Sequence, residues 1–324
     1  MSPSEFEIID RYFTRRSTLP AHGVSLGIGD DAAILRVPPE CELVAAVDTI
    51  VQGRHFLAST QPRSIAHRAL AVNLSDLAAM GATPAWALLA LTLPVAEEHW
   101  LSSFAEGWFG LADRHRVELV GGDTTRGPLT VSVQLMGYVP AGTALLRSGA
   151  CVGDYLVVTG TLGDAGAGLV IARQGDAAGA PGRAAQELLA RFDYPQARVD
   201  FGIAARGIAS GAMDLSDGLA GDLPKLAAAS GLAAHVDIER LPLSNALRVY
   251  ASESQAREWA LGAGDDYELL LSVPGARLAD LQAAAAAGGL RLTVIGELLQ
   301  GQGVTWSIHG RAVQPLAHGF DHFR

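Results

Sequence analysis

Apolar positions along this chain switch repeatedly between a strand-like and a helix-like period. Residues 3–14 carry a short amphipathic helical pattern, and 41–51, CELVAAVDTIV, read as a buried strand with Asp48 near its end. The longer run 63–80, RSIAHRALAVNLSDLAAM, predicts a helix stopped by Gly81 and Pro84. Residues 85–93 predict a strand and 97–115 a second amphipathic helix. Residues 117–123 read as a strand running into a glycine turn, and 129–139 as a half-buried strand. At 140–153 the composition shifts to AGTALLRSGACVGD, which marks a domain boundary. Beyond it the pattern predicts strands at 155–160, 233–239, 267–273, 291–298 and 303–308. Helices are expected at 164–173, 183–191, 197–208, 218–229 and roughly 276–288. This alternation predicts an α/β (α+β) fold of two mixed domains, 1–143 and 144–324, with the active site between them.

Composition narrows the class. With 324 residues, 49% of them hydrophobic, the chain has ample material for two cores. A net charge of −10 argues against partners such as nucleic acid or anionic membrane, which need basic patches. Cys41 and Cys151 stand alone, so neither a zinc site nor a disulfide framework is expected. The start, MSPSEFEIIDRYF, lacks the apolar core of a signal peptide, and the most apolar stretch, Trp86 to Val95, is far short of a membrane span. A cytoplasmic location is the expectation.

The candidate chemistry lies in acidic residues beside small ones: Gly29-Asp30-Asp31, Val47-Asp48-Thr49, Gly121-Gly122-Asp123, Met213-Asp214-Leu215-Ser216-Asp217-Gly218 and Gly264-Asp265-Asp266. Each segment alone reads more readily as a turn or a helix cap than as a metal ligand. Asp76, inside the apolar helical run, is harder to explain, because a buried unpaired carboxylate is strongly penalised. If these groups converge, each pair about 5 Å apart repels by roughly 3 kcal/mol at an effective dielectric near 20. A cation must then compensate, and a set made only of oxygens selects Mg²⁺, which prefers a few carboxylates plus phosphate and water. That points to a nucleotide. An EF-hand starting at Asp214 is excluded because its twelfth position is Lys225. No P-loop and no dinucleotide fingerprint is present, and GTLGDAGAG (160–168) resembles them only superficially.

Taken in order, GIGDDAA (27–33), VDTIVQGRHF (47–56), NLSDLAAMGATP (73–84), GGDTTRG (121–127), LLRSGACVGD (145–154), MDLSDGLAGDL (213–223), GAGDDYELL (262–270) and GFDHF (319–323) resemble the thiamine-monophosphate kinases over essentially the whole chain. Their wider superfamily includes aminoimidazole ribonucleotide synthetase, selenophosphate synthetase and a hydrogenase-maturation protein. The resemblance implies two domains of the aminoimidazole ribonucleotide synthetase-like type and a homodimer formed through the N-terminal one.

It also implies roles. Asp30, Asp48, Asp76, Asp123, Asp214 and Asp217 match Mg²⁺ ligands, and Val47 matches a metal-region position where only its backbone can serve. Gly122 and Asp123 match a nucleotide-binding turn, and Arg147 and Ser216 match ATP contacts. His55, Asp265 and Phe320 match substrate contacts, Asp265 standing where many relatives carry Glu. The implied reaction moves the γ-phosphoryl of ATP in line onto thiamine monophosphate, with Asp214, Asp217 and Arg147 as catalytic groups, several Mg²⁺ ions, and K⁺ as a further candidate cation. Selenophosphate synthesis is disfavoured because residues 1–29 contain neither Cys nor Lys, and the hydrogenase-maturation chemistry because the chain ends in Arg324 rather than Cys.

Overall fold

A computed structural model describes residues 4–14, 23–175, 182–314 and 319. The chain divides into two compact units, one of residues 1–77 and 82–142, the other of 78–81 and 143–324. Both mix helices with sheet.

The first unit runs α1 (Glu5–Ile8), β1 (Val24–Leu26), β2 (Ile34–Leu35), β3 (Cys41–Val51), α2 (Pro62–Ala79), β4 (Thr83–Leu93), α3 (Glu98–His115), β5 (Glu118–Arg126) and β6 (Thr130–Pro140). The pattern at 3–14 resolves into α1, capped by Ser4 and Glu7 in a reciprocal capping box, followed by a π turn over Ile9–Phe13. Four long strands form a sheet in the order β3-β6-β4-β5, with β4 and β5 parallel and the rest antiparallel. One face is covered: Val131, Val133 and Leu135 are fully buried, and a methyl placed at Gly137 would lie 2.8 Å from Leu77 of α2. The helix α2 is buried nearly all round, so it reads as apolar rather than amphipathic. Gly107 lets α3 pass close to it, since a methyl there would lie 2.2 Å from the Arg63 carbonyl oxygen. The other face is open and leaves Leu43 and Val47 exposed.

One expectation is corrected here. The Gly121-Gly122-Asp123 segment is not a turn, because β5 runs straight through it to Arg126. A bulge shifts the register, so that Leu88 pairs with Gly121 and Leu89 with Gly122. Parallel pairing to β4 supplies backbone partners that glycine-rich local sequence does not advertise.

The second unit runs β7 (Tyr155–Thr159), α4 (Asp164–Gln174), α5 (Arg183–Asp193), α6 (Val199–Ala205), β8 (Gly211–Asp214), α7 (Leu219–Ala229), β9 (Ala233–Asp237), α8 (Asn245–Tyr250), α9 (Glu253–Gly262), β10 (Leu269–Val273), α10 (Leu278–Ala287), β11 (Leu292–Leu299), β12 (Gly303–Ile308) and β13 (Arg311–Val313). Its sheet has the order β13-β12-β9-β11-β7-β10-β8 and is antiparallel except for the β12–β9 pair. Leu156, Val158, Leu223, Leu226, Val236, Leu270 and Ile295 form its core. Strand β8 and helices α8 and α9 are among the elements that escaped the pattern. The strand β8 is only four residues, all buried, and lacks an alternation to detect. Helices α8 and α9 are opened by Ser244 and Ser252, each accepting a backbone N–H three residues on, rather than by a strong apolar stripe.

Candidate active site

In the first unit, sheet register decides which predicted residues share a surface. The open face carries the row Thr49–Ser132–Ala90–Asp123, tied at one end by a 2.7 Å hydrogen bond between the Thr49 and Ser132 hydroxyls. The neighbouring row is Asp48–Val133–Leu89–Gly122. Adjacent rows point to opposite faces, so Asp48 lies on the helix-covered side and Asp123 on the open side. A cleft of about 1090 Å³ opens over the latter, lined by Asp30, Val47, Gly122, Asp123, Gln134 and Met136 among others. The structure therefore brings Asp30, Val47, Gly122 and Asp123 together. Val47 presents its side chain to solvent at 66% exposure, so its side chain offers no ligand. At Gly122 (φ 153) a methyl would lie 1.9 Å from the Leu89 carbonyl oxygen, so no side chain fits between β4 and β5.

Asp76 is a half-exposed position of α2 within an otherwise buried run, from Ala71 to Ala79. His55 follows β3 in a tight turn, where its Nδ1 accepts the Val51 N–H at 3.0 Å and its own N–H donates to the Val51 carbonyl. With Nδ1 accepting, the ring proton sits on Nε2.

In the second unit, two motifs fifty residues apart become one site. Asp214, 5% exposed, ends β8 and pairs with Leu269 at the start of β10. The pairing continues past both strands: Leu215 N–H donates to Glu268 O, Tyr267 N–H to Leu215 O, and Asp265 N–H to Ser216 O, each at 2.9 Å. Gly264 permits this closure, because a methyl there would lie 2.3 Å from the Ser216 carbonyl oxygen. The closure forces Asp265 and Tyr267 to φ 71 and 49, and the Tyr267 hydroxyl donates to Asp265 Oδ1 at 3.1 Å. Left-handed backbone is tolerated by Asp but costs a bulky residue roughly 1–3 kcal/mol.

Asp217 precedes α7, which starts after Gly218 (φ 90). Lys225 Nζ bridges Asp217 Oδ2 at 2.6 Å and Asp222 Oδ1 at 2.9 Å, and Asp222 also accepts the Asp217 N–H. Burial raises the Asp222 carboxyl above its ordinary range, against the opposing pull of Lys225 and the Asp217 N–H. Burial lowers Lys225, but its two carboxylate partners outweigh that and leave it above its ordinary value. Arg147 is exposed in the 3-10 turn Arg147–Gly149, which is anchored through its own carbonyl, an acceptor for the Ser230 hydroxyl at 2.8 Å. Phe320 lies outside the described residues.

Behind the Asp265 turn sits a buried ion network that local sequence reading missed. Glu268, fully buried, accepts from Arg198 Nε at 2.6 Å, Arg191 Nη2 at 2.8 Å and the Thr159 hydroxyl at 2.6 Å, with a second contact from Arg198 Nη2. Burial drives its carboxyl up, yet the two guanidinium groups and Thr159 prevail and hold it below the ordinary range. Asp266 accepts from the Gly163 and Ala165 N–H groups at 2.7 and 3.4 Å and so caps α4. Complete burial pushes it well above the carboxylate range. The helix N-terminus at GTLGDAGAG is thus occupied by the protein's own carboxyl. Glu268 and its arginines are separated by 77 and 70 positions, so no local pattern links them.

Among the described residues, no three His, Cys, Asp or Glu side chains form a group able to hold a metal ion.

Comparison with known proteins agrees over nearly the full length. Residues 29–139 match the N-terminal domain of AIR synthase related protein, and 152–308 match its C-terminal domain. The chain is 45% identical to thiamine-monophosphate kinase of Salmonella typhimurium, covering 100% of this chain and 99% of the relative. It is 38% identical to that of Caulobacter vibrioides, over 99% and 91%. Among solved structures, thiamine-monophosphate kinase from Stenotrophomonas maltophilia is 46% identical with a TM-score of 0.87, covering 97% and 99%. AaThiL complexed with AMPPCP and TMP is 33% identical, TM-score 0.79, over 89% of each chain. Hydrogenase maturation protein HypE in complex with ATP shares the fold at 19% identity and TM-score 0.77. The chain belongs to the AIR synthase related family and, within it, to the thiamine-monophosphate kinases.

Proposed function

We propose that this chain transfers the γ-phosphoryl group of ATP to thiamine monophosphate, giving ADP and thiamine diphosphate. The observation that carries this reading is the backbone closure of the Asp265 turn onto the Asp214–Ser216 loop. It sets a candidate substrate carboxylate beside candidate nucleotide and metal groups. A relative solved with AMPPCP and TMP, at 33% identity, supports the choice of both substrates.

The acceptor is a phosphate oxygen already ionised near neutral pH, so no strong general base is needed. The barrier is charge crowding between two phosphates, which calls for positioning and cations. Arg147, exposed, fits a phosphate contact, and Gly122, beside Asp123 on β5, is proposed for the nucleotide side. Ser216 completes the nucleotide side, and His55, Asp265 and Phe320 the substrate side. Asp30, Val47 (through its backbone), Asp48, Asp76, Asp123, Asp214 and Asp217 are the proposed metal region. When bound there, Mg²⁺ supplies neutralisation of phosphate charge. More than one Mg²⁺ ion is proposed, and K⁺ is a further candidate. Asp214 and Asp217, with Arg147, are the proposed catalytic set.

A homodimer formed through the N-terminal domain is proposed as well, as the family resemblance implies. Light scattering on the eluting protein should give twice the chain mass. A cytoplasmic location fits a biosynthetic kinase, and no helix of the described residues is long and apolar enough to cross a membrane. The decisive assay incubates the protein with Mg·ATP, K⁺ and thiamine monophosphate and resolves thiamine diphosphate by HPLC. Folded protein that yields no product overturns the reading.

A further inference from the structure

The Asp265–Tyr267 turn combines two features that do not sustain themselves. Its backbone holds a left-handed Asp and a left-handed Tyr two residues apart, with φ 71 and 49. Its backbone N–H groups at Asp265 and Tyr267 close onto the neighbouring 215–216 loop, itself irregular. Such a conformation persists where surrounding structure over-determines it.

The surroundings supply two anchors, one on each side of Tyr267. On one side Asp266 is fixed to the start of α4 through the Gly163 and Ala165 N–H groups. On the other, Glu268 is gripped by Arg198 through both of its oxygens, and by Arg191 and Thr159. The Thr159 hydroxyl also accepts the Leu269 N–H at 2.8 Å, and so ties the carboxylate to the first residue of β10. Gly160 makes room, since a methyl there would lie 2.1 Å from Glu268 Oε1. The arginines come from α5 and from the residue preceding α6, and their side chains are only 22% and 18% exposed. A planar guanidinium serving two oxygens fixes direction as well as distance, which an ammonium does not.

We propose that Arg198, acting through Glu268, is a positioning residue that holds the Asp265–Tyr267 turn in the conformation presenting the Asp265 carboxylate to the substrate. Arg191 is the secondary clamp. Arg198 itself touches no substrate atom in this scheme. The role of Asp265 rests on the kinase reading above, whereas the control of the turn by Arg198 does not.

The test compares Arg198→Met and Arg198→Lys with the unaltered protein. Hydrogen exchange reads the turn directly. In Arg198→Met the Asp265 and Tyr267 amides should lose protection while those of Leu270 and Leu271 in β10 keep theirs, with Arg198→Lys intermediate. In steady-state kinetics the KM for thiamine monophosphate should rise at least about tenfold, while the KM for Mg·ATP stays within about twofold. A merely structural arginine would lower melting temperature and folded fraction and scale kcat, without splitting the two KM values. Unchanged exchange in the turn, or equal shifts in both KM values, overturns the proposal. If Arg198→Met does not fold, Arg198→Lys, which keeps the charge, is read by the same criteria. If the unaltered protein shows no turnover at all, the kinase reading fails and the exchange data alone decide the role of Arg198.

Discussion

The backbone N–H of Asp265 donates to the carbonyl oxygen of Ser216 at 2.9 Å, across a gap that only a glycine at 264 leaves open. Replacing Gly264 with Ala should therefore pry the two loops apart. A methyl 2.3 Å from that oxygen cannot be accommodated without backbone movement. The expected cost is about 1–3 kcal/mol in urea unfolding, with a larger relative fall in kcat/KM. Gly122→Ala, where the clash is with Leu89 O, should destabilise the first unit similarly. Wild-type stability and activity in both variants would remove the close-approach argument.

Asp214→Asn should abolish turnover while leaving the circular dichroism unchanged. The side chain ends β8 at 5% exposure, and the amide is nearly isosteric. Loss of folding instead would make the carboxylate structural.

Chelation of Mg²⁺ by EDTA should stop product formation, and added Mg²⁺ should restore it. Asp123→Asn, at an exposed position of the open face, should raise the Mg²⁺ concentration for half-maximal rate at least about tenfold, a loss of roughly 1.4 kcal/mol. An unchanged Mg²⁺ titration would take Asp123 out of the metal set.

Lys225→Met should cost of order 1 kcal/mol, a figure kept small because the lysine side chain is 46% exposed and solvent screens it. The loss arises at Asp222, whose side chain is 1% exposed and loses its cation. It should shrink as the pH falls, because protonated Asp222 no longer needs Lys225. Chemical denaturation at pH 5 and pH 8 checks this.

Asp266 has the opposite sign from a salt-bridged acid. Its folded carboxyl keeps a proton that the unfolded chain gives up near pH 4, so rising pH removes stability until the raised folded pKa is passed. Asp266→Asn cannot ionise. The melting temperature of the variant relative to the unaltered protein should climb as pH rises from about 4 towards neutrality. A constant difference across that range would mean that Asp266 titrates normally.

Periodicity along the chain located β3, α2, β4, α3 and β6, because long elements with one or two buried faces leave a signal in apolar spacing. The sequence by itself also held the ordered Gly-Asp motifs, and through them the family. It did not separate Asp48 from Asp123, because facing is set by the register of β3, β6, β4 and β5 rather than by motif membership. Nor did it disclose that GGD is strand, that a four-residue strand presents Asp214, or that Arg191 and Arg198 converge on Glu268. Those depend on pairings between positions far apart in the chain. A local pattern carries the propensity of a segment, while the partner that satisfies a buried carboxylate or a bulged strand exists only once the sheet has closed.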